Sequence, residues 1–136
     1  MSEQKNLEAV QRMYAAFGRG DLPSILENVA DDVSWAVNSQ AAGSIPWYLH
    51  IKGKKDVAKF FAGLAESVEY TRFEPHAFAA TGDVVYCTVS FDMTVKRNRQ
   101  SMSSQMFHRF TFQGGRIVDV LTGEDTAKTL AAWNAQ

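Results

Sequence analysis

Few side chains in this 136-residue chain could carry chemistry. His50, His76 and His108 fall on different predicted elements, and no His-x-Glu or His-x3-His spacing links them, so they do not form a metal site. Cys87 is the single cysteine, which excludes an internal disulfide and a multi-cysteine metal site. Its apolar neighbours mark it as a buried core thiol rather than a nucleophile. Ser101, Ser103 and Ser104 have no glycine elbow and no adjacent histidine, which argues against a hydrolase. Asp31-Asp32 reads as helix-end and turn chemistry, and Asp125 as the cap of a last helix. Glu124 shares the inward parity of Val118, Val120 and Thr122 and could sit at a cavity mouth. His108 is the strongest candidate. Met106, His108, Phe110 and Phe112 alternate against Gln105, Arg109, Thr111 and Gln113, so His108 points inward from a strand. A histidine on an apolar face needs a partner, for which Tyr14, Tyr48 and Thr122 are the candidates. Its neutral form is the base or the donor that a carbonyl substrate requires; a purely structural histidine is the competing reading.

The elements that must position these groups follow from changes in hydrophobic period. Leu7, Val10, Met13, Tyr14 and Phe17 recur at helical steps up to Gly18-Arg19-Gly20. Asp21 caps a short second helix with Pro23 in its first turn and Ile25, Leu26 and Val29 on its apolar side. A strand at Val33–Val37 leads into an irregular but apolar segment from Asn38 to Lys52, which contains Trp47 and Tyr48. A third helix is predicted from Lys54 to Ser67, with Val57, Phe60, Phe61 and Leu64 as its stripe. Extended segments then run from Val68 to Ala80, Val84 to Lys96, Ser101 to Gln113 and Arg116 to Thr122, joined by turns that include Gly114-Gly115. A last helix holds Leu130 and Trp133.

Composition sets the outer limits. A hydrophobic content of 46% is consistent with one domain spanning residues 1–136. The 14 basic and 15 acidic side chains nearly cancel, and no basic run is interleaved with aromatics, so a nucleic-acid partner is not expected. Lys96-Arg97-Asn98-Arg99 reads as a solvated hairpin tip. No segment is long and apolar enough for a bilayer, and Met1 to Asn6 shows no signal-peptide core, so a soluble, cytoplasmic protein without a membrane partner is expected.

Helices first and long antiparallel strands afterwards predict an α+β fold: a cone-shaped, strongly curved antiparallel sheet wrapped around three helices, with a short C-terminal helix. Val10-Gln11-Arg12, Ala15-Ala16, Gly20-Asp21-Leu22, Ala30-Asp31-Asp32 and Thr88-Val89-Ser90-Phe91 resemble the ketosteroid isomerases of the nuclear transport factor 2-like superfamily. The helix bearing Arg12 and Tyr14, the strand Asp31-Asp32-Val33-Ser34-Trp35 and Phe73-Glu74-Pro75 resemble more closely still the SnoaL-like proteins, named after polyketide cyclases. The isomerases use a carboxylate base, a tyrosine and a protonated aspartic acid. The resemblance places the base at Val37 and the tyrosine at Met13, both apolar here, and the acid at His108 or Phe107 according to the length of the Gly114-Gly115 hairpin. Strand alternation selects His108.

The resemblance therefore implies a retained cavity without steroid isomerase chemistry. Its expected wall comprises Met13, Tyr14 and Phe17 from the first helix and Trp35 and Val37 from the first strand. Trp47 and Tyr48 would come from a lid, Phe60 and Phe61 from the third helix, and Met106, Phe110, Val120 and Thr122 from the last strands. The expected occupant is a small apolar molecule. The expected activity is a cofactor-independent isomerase, cyclase or hydratase using His108 for proton transfer, and the alternative is a non-catalytic ligand-binding or dimerisation scaffold. Tyr86, Thr88, Ser90, Phe107 and Thr111 on the outer sheet face predict a homodimer.

Overall fold

The computed structural model describes residues 2–37 and 43–136. Helix α1 (Glu3–Gly18) starts where the Ser2 hydroxyl accepts a bond from the Lys5 amide at 3.1 Å, and it buries Val10, Met13 and Ala16 on one face. Asp21 caps α2 (Leu22–Leu26) in the same way. Strand β1 (Val29–Val37) begins four residues before its predicted start. Asp31 and Asp32 therefore lie within it, exposed, where its register slips between Val29 and Ser34, and not in a turn. The chain continues through β2 (His50–Lys52), α3 (Lys54–Ser67), β3 (Val68–Thr81), β4 (Val84–Val95), β5 (Ser101–Gln113), β6 (Arg116–Glu124) and α4 (Thr126–Asn134). Periodicity places α3 and β5 at these same bounds. The sequence gives no sign of β2, because three residues are too few to show alternation; Ile51 turns inward there, opposite Trp35. The start of the expected lid, residues 38–42, lies outside the described residues.

The six strands form one sheet in the order β2-β1-β6-β5-β4-β3. Four of its five ladders are antiparallel, as expected, and the β1–β6 ladder is parallel. The parallel pair arises because the Gly114-Gly115 hairpin returns the chain from β5 along the free edge of β1. Both glycines have positive φ, +57° and +81°, as a two-residue turn matched to strand twist requires. In a flat sheet Trp35 on β1 and Phe73 on β3, four strand spacings apart, would be about 19 Å from each other. Both border a single cavity, so the sheet is bent around the helices. The bend is supported by register shifts in β3 between Tyr70 and Arg72 and between His76 and Ala79, the latter spanning Ala77 at φ +56°.

The concave face carries the core. Strand β4 buries Val85, Cys87, Val89, Phe91, Met93 and Val95 in unbroken alternation. On β6 the alternation breaks, because a register shift between Thr111 and Phe112 sets Phe112 opposite Ile117. Ile117 is fully buried and takes the inward place the sequence assigns to Val118. The β4–β5 hairpin tip is not simply solvated. Asn98 donates its amide to the carbonyls of Ala132, Trp133 and Ala135 at 2.8, 3.2 and 2.8 Å, and the Arg97 guanidinium stacks 4.0 Å from the centre of the Trp133 ring. These contacts satisfy the open carbonyls of α4 and fix it against the sheet. Among the described residues no helix is long and apolar enough to cross a membrane.

Candidate functional site

Within the bend lies a cavity of about 80 Å³, walled chiefly by apolar side chains. Helix α1 contributes Met13, Tyr14 and Phe17, β1 Trp35 and Val37, and α3 Phe60 and Phe61. Met106, His108 and Phe110 come from β5, Val120 and Thr122 from β6, and Trp47 from the segment before β2. Five further residues complete the wall: Ile25, Leu64, Tyr70, Phe73 and Glu124. Ile25 and Leu64 belong to helical stripes visible in the sequence. Tyr70 and Phe73 do not alternate, because the bulge between them turns both inward, so strand parity could not find them. Parity did mark Glu124. Tyr48 is not on the wall. It is fully buried, and its hydroxyl donates to Oε1 of Glu124, which is on the wall.

His108 occupies the middle of a row set by strand register, with Cys87 opposite on β4 and Thr122 opposite on β6, and Val37 beyond Thr122 on β1. The Tyr14 hydroxyl descends from α1 onto this row, hydrogen-bonded to His108 Nδ1 and, at 2.9 Å, to Cys87 Sγ. The ring is half-buried and borders the cavity. Burial disfavours the imidazolium and pushes its pKa down to about 4. Burial also drives the Tyr14 phenol far above its usual range, reinforced by Cys87, and raises the Cys87 thiol against the opposing hydrogen bond from Tyr14. All three groups are therefore neutral near pH 7.

A neutral trio of this kind has two proton arrangements. In one, Cys87 donates to Tyr14 and Tyr14 to Nδ1, which leaves an Nε2–H donor for the cavity. In the other, Nδ1–H donates to Tyr14 and Tyr14 to Cys87, which leaves an Nε2 lone pair able to accept a proton. Among the described residues none bonds Nε2, and the group is open to an occupant of the cavity.

Glu124 brings a carboxyl to the wall. Burial raises its carboxyl pKa, the Tyr48 hydrogen bond opposes this, and the neighbouring Asp125 charge adds to the rise. Trp47, also on the wall, is edge-on to Tyr48 at 6.0 Å and to Trp133 at 5.7 Å, which ties the wall to α4. The other histidines lie elsewhere: His50 is exposed on β2, and His76 bonds Ser90 Oγ at 2.8 Å on exposed strand surface. Among the described residues no cluster of three or more His, Cys, Asp or Glu could hold a metal ion.

The profile of the SnoaL-like domain matches residues 10–120. This chain belongs to the SnoaL-like domain family. Solved structures agree on the SnoaL-like fold. An NTF2-like protein of unknown function from Burkholderia pseudomallei K96243 has a TM-score of 0.89 and 26% identity, over 99% of this chain and 100% of that one. An NTF2-like protein from Burkholderia xenovorans LB400 has a TM-score of 0.88 and 25% identity, over 98% and 99%. A candidate polyketide cyclase from Xanthomonas campestris pv. campestris has a TM-score of 0.74 and 20% identity, over 96% and 98%. No curated protein sequence is significantly similar to this chain. Within this SnoaL-like frame the positions matched to the isomerase base and tyrosine, Val37 and Met13, are both on the cavity wall and both apolar. The neighbouring Tyr14 also lines the cavity, but its hydroxyl is engaged by His108 and Cys87. His108 points into the cavity, whereas Phe107 points out and is 56% exposed.

Proposed function

We propose that this SnoaL-like protein binds a small, largely apolar molecule in its cavity and that His108 moves a proton to or from it. The reaction would be a cofactor-independent isomerisation, cyclisation or hydration. One observation carries the reading: a neutral imidazole whose Nδ1 is held by Tyr14 and whose Nε2 opens onto an apolar chamber. Such a group accepts a proton from carbon or oxygen and returns it without help from bulk water. The chamber is about half the roughly 150 Å³ that admits a benzene ring in an engineered cavity. A ring-bearing ligand must therefore displace side chains of the wall. Phe17, Ile25, Phe61, Leu64 and Tyr70 are suited to this, since they also border an outer groove of about 350 Å³ between α2 and α3 and separate it from the chamber. The test is a soak with small cyclic ketones and phenols, read as ligand density beside Nε2 and as a shift of the His108 ring-nitrogen resonances. Ligands that perturb only distant surface residues would remove the proposal.

A second reading concerns assembly and is compatible with the first. Tyr86 and Phe107, 46% and 56% exposed on adjacent strands β4 and β5, are the large hydrophobic side chains most open to solvent among the described residues. We propose that this outer face pairs two copies of the chain by a two-fold axis. Light scattering at micromolar concentration should give twice the chain mass, and Phe107→Glu should halve it. A monomeric wild-type protein would refute this.

A further inference from the structure

The outer groove between α2 and α3, of about 350 Å³, is lined by no aspartate, glutamate, lysine or arginine. Its α3 side is Ala58, Ala62 and Ala65, spaced four and three residues apart on one face of the helix. The charged Lys55, Lys59 and Glu66 of the same helix are exposed and are not on its wall. The groove is too small for a docked protein element, since one turn of helix, about 10–12 Å across, fills roughly 400–600 Å³. It does fall within the roughly 300–1,000 Å³ of small-molecule sites. The inner chamber, by contrast, has room for a polar head and about three carbons, half a benzene ring. The partition between the two spaces is aromatic. Phe17, on the last turn of α1 ahead of Gly18, is its centre, with its ring 5.9 Å from that of Phe61 and 6.1 Å from that of Tyr70. All three rings border both spaces.

We propose that the chamber and this groove form one elongated ligand site. The ligand's oxygen-bearing head meets His108, and its apolar tail passes the Phe17 ring to lie between α2 and α3 on the alanine face. This rests on the reading of His108 given above and names the ligand class: an amphiphile with one small polar head and an unbranched hydrocarbon tail. The head must be small because the chamber is. The tail must be apolar because a polar group along the groove would lose water and meet no charged partner there. A chain of methylenes against the alanines instead removes apolar surface of both ligand and protein from water. Phe17 swings aside to admit the chain, at the cost of ring contacts that the chain itself replaces.

NMR titration of the full chain with straight-chain 2-alkanones, from 2-butanone to 2-nonanone, tests this. Affinity should rise about fourfold for each added methylene through 2-nonanone, because every carbon beyond the chamber continues into the groove. The longer ketones should shift both the His108 ring nitrogens and the Ala58 and Ala62 amides. Ala62→Trp fills the groove from an exposed position that is not on the chamber wall, and Ala65→Trp does so from the next turn. Each variant should bind 2-butanone within about twofold of wild type and 2-nonanone about tenfold more weakly or worse. Affinity that stops rising at 2-butanone in the wild type, while the His108 signals still respond, overturns the proposal and leaves the His108 reading standing. Wild-type affinity for 2-nonanone in both variants also overturns it. Ketones that move the alanine amides but never the His108 nitrogens refute the His108 reading and the joined site with it.

Discussion

Lowering the pH should destabilise this protein through one identifiable side chain. The His108 pKa is about 4 in the folded chain against 6.5 for an unperturbed histidine. Between those values the unfolded chain binds a proton that the folded chain refuses, so stability falls as pH drops through that window. Linkage gives a loss of about 2 kcal/mol at pH 5 and about 3 kcal/mol at pH 4 relative to pH 7. Either value is a large fraction of the ~5–15 kcal/mol expected of a whole domain. The assay is urea unfolding at pH 7, 6, 5 and 4 on wild type and His108→Gln. Glutamine keeps polar atoms near Tyr14 but cannot take the proton, so its curve should lack this component. Glu124 pulls the other way, since a raised carboxyl pKa contributes stability at low pH that is lost as pH rises through the folded value. It contributes equally to both proteins, so the difference isolates His108. Parallel pH dependences, within about 0.5 kcal/mol from pH 7 to 5, would refute a neutral, desolvated imidazole.

Tyr48→Phe removes a hydrogen bond that favours the Glu124 anion, so the Glu124 carboxyl should titrate still higher in that variant, read by carbon-13 NMR. Trp35→Ala should weaken binding of any ring-bearing ligand by about 1 to 3 kcal/mol through lost contact, measured by calorimetry. Asn98→Ala leaves α4 carbonyls without partners and should cost about 1 to 3 kcal/mol, with faster amide exchange confined to α4. A 3-oxo-steroid with a β,γ double bond should not be isomerised, since Val37 and Met13 supply neither base nor hydroxyl, and absorbance at the conjugated enone band would show any turnover.

The sequence made the long strands and α3 legible because their periods are sustained: six inward residues of β4 alternate without a break, and no other element explains them. The inward direction of His108 followed from the same rule. What stayed hidden was set by pairing. Nothing in Arg116–Glu124 announces a parallel neighbour, and the bulge that exchanges Val118 for Ile117 is a property of two strands together. The partner of His108 was legible only as a choice of three, because Tyr14 reaches it across 94 residues of chain. Tyr48 reads as an aromatic lid in a segment that lacks periodicity. It is fully buried with its hydroxyl on Glu124, a contact across the fold that no local pattern encodes.

The position of β6 has a consequence for how the protein comes into being. It is nearly the last element in sequence, yet in the sheet it separates β2-β1 from β5-β4-β3, and among the described residues it is the only strand that joins the two parts. A chain emerging from the ribosome can build the β3-β4-β5 meander early, because those contacts are local. It cannot attach β1 until more than a hundred residues have been made. Until then β1 has only its three-residue ladder with β2, and the β6-facing edges of β1 and β5 are exposed to other chains. Assembly of the SnoaL-like fold is therefore a late, single event, and the nascent protein passes through a long interval in which it depends on protection from its neighbours.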